Sequence, residues 1–177
     1  MTTNKLSSNG WDFSFDKEAT EQYYQAFSDL CECPMCRNFY LNADKIPADL
    51  RAFLEQFGID PAKPPEQWSL TADKENMRVD NVIYYVVSGY ATSQEGYEID
   101  IGPISIVVNS PKPDDVIKCP EFSPNVDISE PYFVFSVYNL WLPWTVKDNI
   151  DECYPDKKPL FRRIVSALKR YFRKAKK

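Results

Sequence analysis

The chain contains no histidine. That absence excludes Ser-His-Asp and Cys-His catalysis and removes both the commonest general base and the commonest metal ligand. Glycine is scarce, five residues against fourteen prolines, so the connections are expected to be stiff and well defined. There is no glycine-rich phosphate loop, dinucleotide fingerprint or internal repeat. No run approaches the ~18 apolar residues that a membrane-spanning helix needs. The opening stretch Met1-Thr2-Thr3-Asn4-Lys5 is polar and is followed by no apolar signal region, which predicts a cytoplasmic location. Cysteine is present in an odd number, five, which fits reduced thiols better than a secreted disulfide framework.

What the chain does have is apolar content, 44% with 15% aromatic, which argues against disorder. A length of 177 residues suits one domain with a small appendage. The net charge of -5 is unevenly placed. Residues 159–177 hold eight Lys or Arg and no acid, leaving 13 basic against 26 acidic groups in residues 1–158, a net of -13 against +8. The acidic body argues against nucleic acid as a partner, because phosphate contacts supply most of that affinity.

Periodicity divides the body into helices followed by strands. Trp11 to Asp16 alternates apolar and polar, as a short strand does. Asp16 can cap a helix over 17–30, with Ala19, Tyr23, Ala26, Phe27 and Leu30 on its apolar side. A second helix is expected from Cys36 to Ala43. The pattern of Leu50, Phe53, Leu54 and Phe57, between Pro47 and Gly58, marks a helix over 47–57. Lys63-Pro64-Pro65 reads as a rigid loop leading to Trp68. Val82–Val87, Tyr97–Ile101, Ile104–Val108 and Tyr132–Leu142 read as strands. The fold class expected is therefore α+β, with N-terminal helices packed on a mainly antiparallel sheet over 1–158. Residues 159–177 form the strongest helical pattern. Leu160, Phe161, Ile164, Val165, Leu168, Tyr171, Phe172 and Ala175 fall within one arc of about 140°, and every basic residue lies outside it.

Cys33-x-x-Cys36-x-Asn38-Phe39, Leu50-Arg51-Ala52-Phe53-Leu54, Gly58-Ile59-Asp60-Pro61-x-Lys63-Pro64 and Leu142-Pro143-Trp144 together resemble a group of uncharacterised bacterial proteins. The resemblance covers most of 30–145 in patches. It implies no particular activity, cofactor or partner. Cys31 and the basic tail are additions to the group's pattern, so a role resting on them would belong to this chain and not to the group.

The densest chemistry is the thiol cluster Cys31, Cys33 and Cys36. A Cys-x-x-Cys turn can aim two thiolates at one zinc ion, and Pro34 stiffens the turn. A structural zinc site takes four ligands, so Cys119 or Cys153 would have to join from far along the chain. Redox chemistry is a second reading, since a helix N-terminus at Cys33-Pro34-Met35-Cys36 lowers the pKa of the first thiol. The segment before it looks helical, however, whereas a thioredoxin-like site follows a strand. The plainer reading, small side chains buried at a helix junction, is favoured over both. Glu98 and Asp100 share one strand face, but alternation with Tyr97, Ile99 and Ile101 marks that face as solvated. Asp114, Asp115 and the run Asp148–Glu152 read as loop charge. The four tryptophans, Trp11, Trp68, Trp141 and Trp144, serve equally as core or as binding surface.

With no catalytic constellation in view, the leading expectation is a non-enzymatic protein acting through contact with a protein partner. A second expectation is peripheral attachment to an anionic membrane through residues 159–177, whose basic face would meet lipid headgroups. The same helix could instead dock on its own sheet. A third is a small zinc- or thiol-dependent protein centred on Cys31, Cys33 and Cys36.

Overall fold

A computed structural model describes residues 3–28, 30–93, 98–109, 128 and 131–155. The amphipathic helix expected over 159–177, and with it the docking and membrane readings, lies outside the described residues, as does Cys119. Among the described residues, seven strands form one antiparallel sheet and four short α-helices accompany it, so the α+β class holds. No helix among them is long and apolar enough to cross a membrane.

The chain opens with a hairpin, β1 (Thr3–Ser8) and β2 (Trp11–Asp16), joined by Asn9 and Gly10 at φ 52° and 76°. Two consecutive positive φ values are what a tight hairpin turn matching the strand twist requires. Trp11, Phe13 and Phe15 point inward from β2, and the residues between them are half-buried. Next come α1 (Lys17–Ala26), α2 (Pro34–Leu41), a single 3-10 turn (Ala43–Lys45) and α3 (Ala48–Gln56). The remaining strands are β3 (Glu66–Asp73), β4 (Arg78–Ser93), β5 (Glu98–Ile101), β6 (Ile104–Asn109) and β7 (Tyr132–Pro143), followed by α4 (Ile150–Cys153).

Strand order is β1-β2-β4-β7-β6-β5, with β3 paired to β4 as well. One edge of the long β4 is thus shared: β3 covers residues 78–84 and β2 covers 89–93. The gap between them is closed by α1. The Tyr24 hydroxyl donates to the Val86 carbonyl at 3.1 Å and accepts from the Val86 N–H at 2.9 Å, while Thr20 Oγ1 accepts from Ser88 N–H at 3.1 Å. Unpaired backbone groups in a buried edge are costly, and two side chains of one helix satisfy three of them here.

α1 starts as the sequence predicts, with Asp16 Oδ1 accepting from the Ala19 N–H at 3.0 Å. It ends at Ala26 rather than at 30, because Phe27 turns out of the helix to bury its ring against Tyr23, 6.4 Å away. α3 ends in a Schellman closure: Gly58 N–H reaches the Glu55 carbonyl at 3.1 Å and Ile59 N–H the Leu54 carbonyl at 3.4 Å. Gly58 stands at φ +81°, and a Cβ there would lie 2.6 Å from the Lys17 carbonyl of α1, so glycine is needed twice over. At the centre of the core, Phe57 contacts the rings of Phe13, Phe15, Phe53 and Phe135 at centroid distances of 4.7–5.3 Å. A second, smaller core of Val79, Trp144 and Ile150, with Ala72, Val146, Cys153 and Tyr154 beside it, lies where α4 meets the β3–β4 hairpin.

Candidate functional site

The thiol cluster is built by the way α2 begins. Pro34 occupies the first helical turn, where its missing N–H is no loss, and Cys33 is the N-cap in extended conformation. Its sulfur accepts from the Cys36 N–H at 3.5 Å, and its carbonyl accepts from Arg37 N–H at 2.9 Å. Cys36 is one turn further on, and Cys31 comes from the segment just ahead of the helix. The result is that the three sulfurs lie within 4.8 Å of one another. A tetrahedral thiolate site with bonds of ~2.3 Å needs sulfurs about 3.8 Å apart, so the spacing here exceeds that of a bound site by at most about 1 Å. The cluster could hold a metal ion.

Burial grades across the three. Cys31 is exposed, Cys33 half-buried and Cys36 buried. The expectation that these cysteines are core side chains therefore fits Cys36 alone. Partial burial pushes the Cys33 thiol up, but the Cys36 N–H, the Cys36 and Cys31 thiols and the Met35 N–H all favour its thiolate, and the net pKa is below the ordinary value. Cys36 goes the other way. Burial, opposed by a hydrogen bond from Gln67 and reinforced by Cys33 and Cys31, pushes it up to about 12. Two thiols three residues apart are thus held in opposite protonation tendencies.

Three side chains enclose the cluster. Gln67 of β3 approaches Cys36, yet its buried Nε2 and Oε1 have no partner of full hydrogen-bond geometry. Tyr40 of α2, raised by burial and by the neighbouring Cys36 and Cys31, takes a backbone hydrogen bond from Cys31. Tyr154 follows α4, with its buried hydroxyl also lacking a well-formed partner.

A second set of contacts ties the end of β7 to the same helix. Asn38, fully buried, donates to the Pro143 carbonyl at 2.9 Å and accepts from Thr145 N–H at 2.7 Å. Asn42 donates to Thr145 Oγ1 at 2.8 Å, and Arg37 pairs with Asp148 at 2.8 Å. Cys36-x-Asn38-Phe39 and Leu142-Pro143-Trp144, read from the sequence as separate patches, are therefore one contact. Asp148–Glu152, read as loop charge, includes the start of α4 and the partner of Arg37. Sequence reasoning missed Asn38, Asn42 and Gln67 as parts of this site; only the spacing Cys36-x-Asn38 hinted that a polar side chain sits on the buried side of α2.

The remaining candidates are dispersed. Glu98 and Asp100 are exposed, with Asp100 accepting from Ser105 Oγ at 2.9 Å, and Ile99 between them is buried, as on a solvated strand face. Trp11 and Trp144 are core residues, whereas Trp68 is 59% exposed and Leu70 60% exposed on β3. A surface cleft of about 410 Å³ between α1 and the loop after α3 is lined by the oppositely charged Lys17, Glu21, Asp60 and Lys63. Fold and site together define a small α+β protein with a three-thiol cluster at a helix start. No family model, curated protein or solved structure matches the chain.

Proposed function

We propose that this is a thiol-centred zinc protein in which Cys31, Cys33 and Cys36 bind the ion. The observation that carries the reading is the convergence of three sulfurs within 4.8 Å. A dithiol redox pair needs two sulfurs, and core packing needs none of them exposed; a soft ion accounts for all three. The N-cap position and hydrogen bonds that favour the Cys33 thiolate also favour a bound one. Gln67 is placed to donate to a metal-bound Cys36 sulfur, the kind of support that orients a ligand. Zinc would fix the segment before α2, whose Leu30 and Cys31 face solvent, to the body of the protein. Elemental analysis with thiol titration tests this. One zinc per chain with slowly reacting thiols is the expected result; a metal-free protein in which added zinc leaves the reaction rates of Cys31 and Cys33 unchanged ends the reading.

A second reading, action by contact with a protein partner, is favoured by Trp68 and Leu70. These large apolar side chains are exposed on β3, which among the described residues pairs with β4 alone. An extended partner segment could add to such an edge. Replacing both residues by serine should abolish partner binding while circular dichroism is unchanged; retained binding would place the contact elsewhere.

A further inference from the structure

Three thiolates leave one position of a tetrahedral zinc site open, and the fold brings a fourth cysteine toward it. After β7 the chain is fastened to α2 at successive points: Pro143 and Thr145 on Asn38, and Asp148 on Arg37. Trp144 reinforces the turn, donating its Nε1–H to the Asp148 carbonyl at 2.9 Å and stacking edge-on against Tyr154 at 5.8 Å. Ile150 buries itself beside Val79 and Trp144, and Cys153 packs against that small core. The last turn is closed by Cys153 N–H on the Asn149 carbonyl at 3.2 Å. This path delivers Cys153 to an open cleft of about 500 Å³ that it lines together with Met35, the residue between Pro34 and Cys36, while the three cluster thiols lie beyond its lining. Cys153 is half-buried and makes no disulfide. Its sulfur lies outside the group of three that converge within 4.8 Å, so ligation requires the Cys153 side chain to swing toward the start of α2.

We propose that Cys153 is the fourth ligand, so that zinc is held by Cys31, Cys33, Cys36 and Cys153 and locks the segment after β7 onto the start of α2. This rests on the zinc reading above and assigns its missing donor. Arg37, Asn38 and Asn42 then have a common purpose: they pre-position the distant ligand so that little chain entropy is lost on binding. The four-residue α4, too short to be stable alone, is held by the ion at its last residue. Four thiolates around Zn²⁺ carry a net charge of about -2. The N-terminus of α2 and the Gln67 amide are the groups placed to offset that charge.

The test is cobalt substitution and zinc competition on the full chain, comparing wild type with Cys153→Ser, Cys119→Ser and Cys33→Ser. The expected result is a tetrahedral cobalt spectrum in wild type and in Cys119→Ser. In Cys153→Ser the sulfur-to-cobalt absorption should fall by about a quarter and zinc affinity by about tenfold or more. X-ray absorption at the zinc edge should then count four sulfurs in wild type and three in Cys153→Ser. If Cys153→Ser matches wild type while Cys33→Ser abolishes binding, the three-thiol site stands and Cys153 is not its ligand. If it is Cys119→Ser that loses a sulfur, the fourth donor is Cys119 and the inference is overturned. If wild type itself takes up no metal, the underlying zinc reading fails first. Cys153→Ser lies on a half-exposed turn, so unchanged circular dichroism separates ligand loss from misfolding.

Discussion

Asn38 of α2 holds Pro143 at the end of β7, 105 residues further along the chain, through a hydrogen bond of 2.9 Å, and returns to the same segment by accepting from Thr145 N–H at 2.7 Å. Both contacts are made by one fully buried amide. Replacing it with leucine keeps the volume but strands a carbonyl and an N–H. Asn38→Leu should lower stability by about 2–3 kcal/mol, read from the urea midpoint at unchanged slope. A loss below ~0.5 kcal/mol would mean that water reaches these backbone groups and that the segment is not clamped as described.

Phe57 gives the corresponding prediction for the main core. Its ring is fully buried and touches aromatic rings from β2, α3 and β7. Phe57→Ala should cost about 3–5 kcal/mol, and Phe57→Leu distinctly less, because leucine fills most of the space. Thermal unfolding of the pair checks both the magnitude and the order.

The helices of the body were the most legible part of the sequence, and the reasons are local. α3 carries its own start in Pro47, its stripe in Leu50, Phe53 and Leu54, and its stop in Gly58. The central strands β4, β6 and β7 announce themselves by β-branched and aromatic runs. β3 did not, because it is a half-covered edge whose extended shape is imposed by pairing with β4 across a bulge between Ser69 and Thr71. β1 carries a single apolar residue, Leu6, too little for an alternating pattern, and its main local mark is the Asn9-Gly10 turn. The cysteine cluster was legible as spacing, since three thiols within six residues must be neighbours. The surroundings were not. Gln67 reaches Cys36 only because β3 forms, and the segment that carries Cys153 is tied to α2 by Asn38 and Arg37, through contacts between residues more than 100 positions apart.

The contrast between Cys33 and Cys36 predicts selective chemistry in the reduced, metal-free protein. Cys33 is favoured as a thiolate and half-exposed, whereas Cys36 is buried and pushed up to about 12. Iodoacetamide at pH 7 should label Cys33 at least about tenfold faster than Cys36, since the thiolate is the reacting form. Peptide mapping by mass spectrometry reads the two rates. Equal rates would mean that the Cys36 N–H does not stabilise the Cys33 sulfur in solution.

Gln67 offers a test of the metal site that touches no ligand. Its amide is buried next to Cys36 and its polar atoms are otherwise unpartnered. Donation to a metal-bound sulfur would give the amide its missing partner. Gln67→Leu should therefore weaken zinc binding by about 10-fold or more while leaving the stability of the metal-free protein unchanged or slightly raised. Competition with a chromophoric chelator measures the first, and urea unfolding in chelator measures the second. Unchanged affinity would remove Gln67 from the site.

Asp80 of β4 predicts a pH dependence unrelated to the thiols. It is 9% exposed, its Oδ1 has no hydrogen-bond partner, and burial raises its pKa above the usual carboxylate range. A carboxyl whose folded pKa exceeds its unfolded one binds its proton more tightly in the native state. Its contribution to stability is then fully present below the unfolded pKa, near 4, and is lost as pH rises through the higher folded value. At neutral pH the ionised group is a net cost. Asp80→Asn keeps the shape and removes the charge, so it should stabilise the protein at pH 7 by roughly 1 kcal/mol and gain nothing at pH 3, where Asp80 is already neutral. Urea midpoints of the two proteins at both pH values decide it. A variant that is destabilised at pH 7 would mean that the ionised carboxylate has a partner in solution.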